Sequence, residues 1–244
     1  MTDVDLAKGL AARFEDVKTR VAAAAENAGR KPGEITLIAI SKTHPASLIK
    51  ELIELGATDL GENRVQEAET KIPEVGQFEL RKRARWHLVG HLQANKARRA
   101  LNLFDVIHSL DSIDLARRLD RLCDETGRES LPLLIQVDLG HEETKSGVDE
   151  NELPQLVETL QELERLELIG LMTLPPFFDD PKQARPYFRR LRELRDELAR
   201  QGAFGERRGE LSMGMTNDFA VAIEEGATMV RIGTAIFGER HAHN

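Results

Sequence analysis

Ile35-Thr36-Leu37-Ile38-Ala39-Ile40-Ser41-Lys42 is a short apolar run that stops at a lysine. Its β-branched and aliphatic residues favour a strand, and Thr43-His44-Pro45 ends it. Parallel strands carry unbroken apolar runs of this kind because helices cover both faces of their sheet. The stretch therefore reads as an inner strand with Lys42 at its exit. An apolar setting there would lower the pKa of the amine, and a neutral amine can attack a carbonyl to give a Schiff base. The plainer reading of Lys42 is a side chain whose head reaches water.

Outward from this strand, the pattern alternates. Ahead of it, Leu6, Leu10, Phe14, Val17, Val21 and Ala24 recur at helical spacing, and the helix ends near Gly29. Behind it, 47–55 is helical and 58–62 is a strand ending in Gly61-Glu62-Asn63. The segment 65–71 is helical and stops ahead of Pro73. A charged, poorly patterned stretch follows, and its Arg81-Lys82-Arg83 reads as a solvated segment. Further strands are expected at 85–90, 104–109, 131–138, 166–172, 210–212 and 228–232. The helices between them cover 95–101, 113–127 capped by Asp111, 153–163, a long one opened by Asp180-Pro181, and one from Thr216 or Asn217 to Glu225.

Eight strands alternating with helices predict an α/β fold, a (β/α)8 TIM-type barrel. One domain spanning 1–244 is expected, with 1–30 as an extra N-terminal helix packed on the barrel. An open doubly wound sheet would carry a glycine-rich dinucleotide fingerprint after its first strand, and Ser41-Lys42-Thr43-His44 is not one.

A formal charge of −8 argues against a general nucleic-acid binder or a ligand for anionic membranes. Cys123 is the one cysteine, so the chain holds no internal disulfide, and a buried thiol is expected. Met1-Thr2-Asp3-Val4-Asp5 is acidic where a secretory leader is basic, and no apolar run has membrane-spanning length. A cytoplasmic protein is the expectation.

Active sites of such barrels lie at the C-terminal ends of the strands. Those ends are Lys42, Asn63, Gly90-His91, His108-Ser109, Asp138, Met172, Ser212 and Gly233-Thr234. Loops after the seventh and eighth strands usually hold phosphate. Here they are Ser212-Met213-Gly214-Met215 and Arg231-Ile232-Gly233-Thr234, rich in small residues and hydroxyls. A Schiff-base lysine beside a phosphate cup suits a phosphorylated aldehyde, either pyridoxal 5′-phosphate or a phosphosugar in an aldolase. Arg231 interrupts an apolar run and needs a buried partner. That partner is a pyridine nitrogen, a phosphate, or a carboxylate such as Glu62. An arginine at the ring nitrogen would disfavour its protonation and weaken the cofactor as an electron sink.

His87, His91 and His108 come with no cysteine cluster and no HExxH spacing, so no metal is expected, and His87 reads as a packed residue. Gly90-His91-Leu92-Gln93 and Lys145-Ser146-Gly147 lie in loops that either close over a ligand or cap helices. Pro175-Pro176-Phe177-Phe178 is a lid or a stiffly packed loop, and His241-Ala242-His243-Asn244 a solvated tail.

Seven ordered motifs add a resemblance that covers nearly the whole chain. They are Ile38-Ala39-Ile40-Ser41-Lys42-Thr43, Gly61-Glu62-Asn63-Arg64-Val65-Gln66-Glu67, Trp86-His87-Leu88-Val89-Gly90-His91-Leu92-Gln93, Lys145-Ser146-Gly147, Gly170-Leu171-Met172, Leu211-Ser212-Met213-Gly214-Met215 and Val230-Arg231-Ile232-Gly233-Thr234-Ala235-Ile236-Phe237-Gly238. The chain closely resembles the pyridoxal phosphate homeostasis proteins, which are similar to the barrel domain of alanine racemase without its β-rich second domain. The resemblance implies pyridoxal 5′-phosphate held as an aldimine on Lys42. It implies phosphate contacts from Ser212, the Met213-Gly214 backbone, Gly233 and Thr234. Asn63 and Met172 would line the ring, with Arg231 near the ring nitrogen or the phosphate. Leu60 and Arg64 depart from the aromatic residue and the tyrosine frequent in the family, and Arg64 bears on the pocket rim.

The implied role is not catalytic. The protein would buffer the cofactor and pass it to pyridoxal-phosphate-dependent apoenzymes, acting as a monomer. The alternative is a racemase or lyase of low activity on amino acids. Two-base racemisation needs a second proton carrier, commonly a tyrosine. Tyr187 is the one tyrosine, and its place about two turns into the long helix is expected to be too far from the cup.

Overall fold

A computed structural model describes residues 3–76, 78–140 and 146–238. The alternation folds as a closed parallel barrel in which each strand pairs with the next and the last with the first. The strands are β1 (Thr36–Ile40), β2 (Asp59–Glu62), β3 (Arg85–Leu88), β4 (Val106–Leu110), β5 (Leu131–Gln136), β6 (Leu166–Met172), β7 (Glu210–Met215) and β8 (Met229–Ile232). Helix α1 (Asp3–Asn27) precedes the barrel. Between and after the strands come α2 (Ala46–Glu54), α3 (Val65–Val75), α4 (Phe78–Lys82), α5 (Ala97–Leu103), α6 (Ile113–Thr126), α7 (Leu153–Gln161), α8 (Arg185–Arg200), α9 (Phe219–Glu224) and α10 (Thr234–Phe237).

Alternate strand residues face opposite ways, so the apolar runs supply two cores. Inside the barrel Ile38, Ile40, Val89, Val106, Leu134, Ile169, Met172 and Met229 pack together. Their neighbours along the strands, such as Ala39, Leu60, Ile107 and Val230, join the larger core beneath the helices. Cys123 is buried in that outer core. Helix α1 packs against α2, α9 and α10, and Arg13 Nε donates to the carbonyl of Ile236 at 2.7 Å. Among the described residues no helix is long and apolar enough to cross a membrane.

Several boundaries differ from the sequence reading. Pro73 lies inside α3, although its ring removes one backbone donor. Burial of Ile72 and Val75 holds the final turn in place. Part of the charged stretch folds as the short helix α4. Ser112, not Asp111, caps α6, its Oγ accepting from Leu115 N–H at 3.3 Å, while the Asp111 carboxylate meets His91 Nδ1 at 3.0 Å. Strand β7 runs three residues beyond Ser212, because a register shift carries its pairing on to Met215 opposite Arg231. Asp218, not Thr216 or Asn217, precedes α9, and its Oδ1 accepts from Met215 N–H at 2.6 Å.

Candidate functional site

The C-terminal ends of the strands open into a cavity of about 490 Å³. Lys42 and His44 reach it from the turn after β1, Asn63 from the exit of β2 and Gly90 from the exit of β3. Arg231 of β8 and the Gly233 and Thr234 that follow it form another wall. Leu174, Pro176, Phe177 and Phe178 of the loop after β6 close the outer side, so that loop does line the site. Phe177 is 77% exposed and marks the rim.

Of the residues singled out in the sequence, Lys42, Asn63, Arg231, Gly233 and Thr234 therefore meet at one cavity. Met172, Ser212, Met213 and Gly214 do not line it. Met172 packs into the inner core. Met213 turns outward beneath the helices. Gly214 has φ +93°, and a Cβ there would stand 2.6 Å from Ala222 Cβ, so its backbone lies flush against α9. The β7 side of the cavity is built instead by Met215, Thr216, Asn217 and Asp218. Met215 belongs to the loop the sequence reading assigns to phosphate, whereas Thr216, Asn217 and Asp218 were missed because that reading ends the strand at Ser212. Lys145 and the tail 241–244 lie outside the described residues.

Lys42 occupies the second position of turn 41–44, which His44 N–H closes by donating to Ser41 O at 3.1 Å. Thr43, at the third position, has φ +67°, as in a type II turn. His44 stacks on Phe237, ring centroids 4.7 Å apart.

Ser212 belongs to a hydrogen-bonded chain that crosses the barrel interior. Arg231 Nη1 lies 2.6 Å from Ser212 Oγ, which lies 2.9 Å from His108 Nδ1. His108 Nε2 is 2.8 Å from His87 Nδ1, and His87 Nε2 is 2.9 Å from Asp59 Oδ1. Arg85 Nε also donates to Asp59, at 2.8 Å. An arginine only donates and an ionised carboxylate only accepts, so with both imidazoles neutral the ends of the chain fix its sense. Ser212 receives from Arg231 and gives its proton to His108. His108 gives its Nε2 proton to His87, and His87 gives its own to Asp59. Both imidazoles are neutral in this arrangement. It also commits the Ser212 hydroxyl inside the barrel.

Burial pushes His87 below the ordinary histidine range and outweighs the pull of Asp59. Burial, with His87 and Arg231 nearby, pushes His108 well below it. Burial would raise Asp59, but bonds from His87 and Thr58 and the charge of Arg85 bring it to about 2. Arg231 is brought down to about 10 by burial, against the charge of Asp218. Its Nη2 donates to Thr173 O at 2.9 Å, and among the described residues it has no ion-pair partner. The carboxylate expected as one alternative, Glu62, faces out of the barrel and pairs with Lys71 at 2.7 Å.

These groups give acid sensitivity a definite sign. The folded protein resists protonation at His87 and His108, whereas the unfolded chain binds protons there below pH ~6.5. Stability should therefore fall as pH drops below ~6.5, with a slope approaching about 1.4 kcal/mol per pH unit for each histidine. The Asp59 contribution is present above its ordinary value of 3.8 and is lost as pH falls through about 2. Urea midpoints at pH 7, 6 and 5 check the histidine part, and a flat profile over that range would contradict it.

The alanine racemase N-terminal domain family matches residues 15–241. A pyridoxal phosphate homeostasis protein of Aquifex aeolicus is 43% identical over 228 residues, covering 93% of this chain and 97% of that one. The Escherichia coli K12 protein of the same name is 41% identical and covers 97% of each. The chain belongs to the pyridoxal phosphate homeostasis family. PipY of Synechococcus elongatus, a solved structure with pyridoxal phosphate bound, is 38% identical at TM-score 0.78, covering 94% of this chain and all of that one. Alanine racemase of Corynebacterium glutamicum shares the fold at TM-score 0.68 and 20% identity, and this chain covers 63% of it.

Proposed function

We propose that this protein binds pyridoxal 5′-phosphate in the cavity, covalently through Lys42, and acts as a reservoir that buffers the cofactor and passes it to apoenzymes. Arg231 carries this reading. It is a buried cation in the cavity wall that makes no direct ion pair among the described residues, the charge of Asp218 reaching it only from a distance. Two of its N–H groups are committed, and a guanidinium has five. A cavity with such a wall calls for an anion or a basic nitrogen in its occupant. Its volume of about 490 Å³ lies within the ~300–1,000 Å³ usual for small-molecule sites.

The cofactor supplies a phosphate and an aldehyde, which an amine converts to a Schiff base with loss of water. Lys42 provides the amine at the cavity wall. Gly233 and Thr234 open the first turn of α10, where backbone N–H groups lack partners within the helix and suit a phosphate. A Cβ at Gly233 would stand 3.1 Å from Ile40 O, so the absence of a side chain lets the exits of β8 and β1 approach closely. Asn63 also lines the cavity.

A carrier role rests on two features. Arg231 acts only as a donor, so a pyridine nitrogen facing it stays unprotonated and stabilises carbanions poorly. Tyr187 stacks on the ring of Phe178 at 5.9 Å and does not line the cavity. The test is to load the protein with pyridoxal phosphate, reduce it with borohydride and map the modified peptide. Label on Lys42, transfer from unreduced protein to a pyridoxal-phosphate apoenzyme, and no turnover of alanine, serine or lysine support the reading. Label elsewhere removes the attachment site, and amino-acid turnover removes the carrier role.

A further inference from the structure

The turn that carries Lys42 is held by a group of three charges, two of them buried. The left-handed conformation of Thr43 is unfavourable for a β-branched residue, so the surrounding structure must enforce it. Glu62 ends β2, and Glu67 and Lys71 lie one turn apart on α3. Lys71 Nζ donates to Glu62 Oε1 at 2.7 Å, to Glu67 Oε1 at 2.6 Å and to Ser41 O at 2.7 Å. All three of its N–H groups are thereby engaged. Glu62 Oε1 also accepts from Ser41 Oγ–H at 2.6 Å. Glu67 Oε1 accepts from Thr43 N–H. The residues before and after Lys42 are therefore bound to the same group.

Glu62 is fully buried and Lys71 is 6% exposed. Burial pushes the Glu62 carboxyl up, against the pull of Lys71 and Ser41. Glu62 Oε2 is buried with no hydrogen-bond partner. Placing such a set out of water is costly, and apolar residues of similar volume would usually stabilise a fold as well or better. Stability alone therefore does not account for it.

We propose that Glu62, Lys71 and Glu67 are positioning residues that lock turn 41–44, so that Lys42 presents its amine to the cavity in one orientation. In the linking step the neutral Lys42 nitrogen bonds the aldehyde carbon, the carbon–oxygen bond breaks, and the oxygen leaves as water carrying the two protons of the amine. Release reverses this with water as the reactant. A loosened turn slows the first step, because misplacing a reacting group by about 1 Å costs up to about a hundredfold in rate.

This inference rests on Lys42 being the attachment site, and the experiment separates the two. Two variants serve: the charge-neutral pair Glu62→Gln with Lys71→Met, and the milder Glu67→Gln, which should keep the fold because its parent side chain is 25% exposed. Pyridoxamine phosphate probes the cavity without the covalent step, and stopped-flow absorbance with pyridoxal phosphate reads the covalent step. We expect pyridoxamine phosphate affinity within about twofold of wild type and covalent capture slowed about tenfold or more. Adding Thr43→Gly, which accepts the left-handed conformation freely, should restore part of the rate. Capture at the wild-type rate in Glu67→Gln, or a loss of pyridoxamine phosphate affinity that matches the loss of rate, overturns the proposal. Wild-type protein that traps no cofactor on Lys42 overturns the attachment site itself.

Discussion

Lys42→Ala is expected to take up pyridoxal phosphate without developing the visible band of a protein-bound Schiff base, and borohydride should fix no cofactor to it. Lys42 is the one lysine that lines the cavity among the described residues. Lys71, the nearest buried alternative in sequence, does not line the cavity, and its three N–H groups are engaged. The variant should still fold, since alanine fits the second position of a type II turn and the clamp binds the neighbouring residues rather than position 42. Arg231, Gly233 and Thr234 remain, so weak binding should persist. Loss of the covalent link should raise the dissociation constant at least about tenfold, or about 1.4 kcal/mol. Absorbance titration and equilibrium dialysis check both parts. A retained band would move the attachment to another lysine.

Gly90→Ala should cost more stability than any other single change considered. A Cβ there would lie 2.1 Å from Asn63 O and 2.9 Å from Asn63 C and Cα. All three atoms are backbone, so no rotamer change relieves the clash. The exits of β2 and β3 meet here, with Glu62 opposite Leu88 and Val89 N–H donating to Glu62 O at 3.0 Å. Alanine must either prise these exits apart or distort the ladder. We expect a loss of about 3 kcal/mol or more, a fall of roughly 6–12 °C in Tm for a chain of this size. Asn63 would shift with its backbone, so cofactor uptake should weaken as well. Gly33→Ala is the control, because nothing lies within 4 Å of its Cβ position. Thermal unfolding of the two variants checks the contrast, and a Gly90→Ala protein melting with the control would refute it.

The barrel was legible because its signals are local. The run from Ile35 to Ile40, the spacing of Leu10, Phe14, Val17 and Val21, and the glycines ending helices are properties of short windows, and they place eight strands between helices. Strand ends follow from the same windows, so Lys42, Asn63, Arg231 and Gly233-Thr234 could be assigned to one face before any coordinates. The direction each side chain takes was not legible. It depends on where each strand begins in the closed sheet, and a shift of one residue exchanges inside for outside. Glu62 looked available to Arg231, yet Gly61 takes the inner face of β2 and Glu62 the outer, where Lys71 waits on α3. Ser212 looked like a phosphate ligand, yet its hydroxyl turns inward to His108, 104 positions away in sequence. The partnership of His87 with His108 and the clamp on Lys42 share that origin. Each joins residues from different βα units, and only the pairing of neighbouring strands brings them within bonding distance.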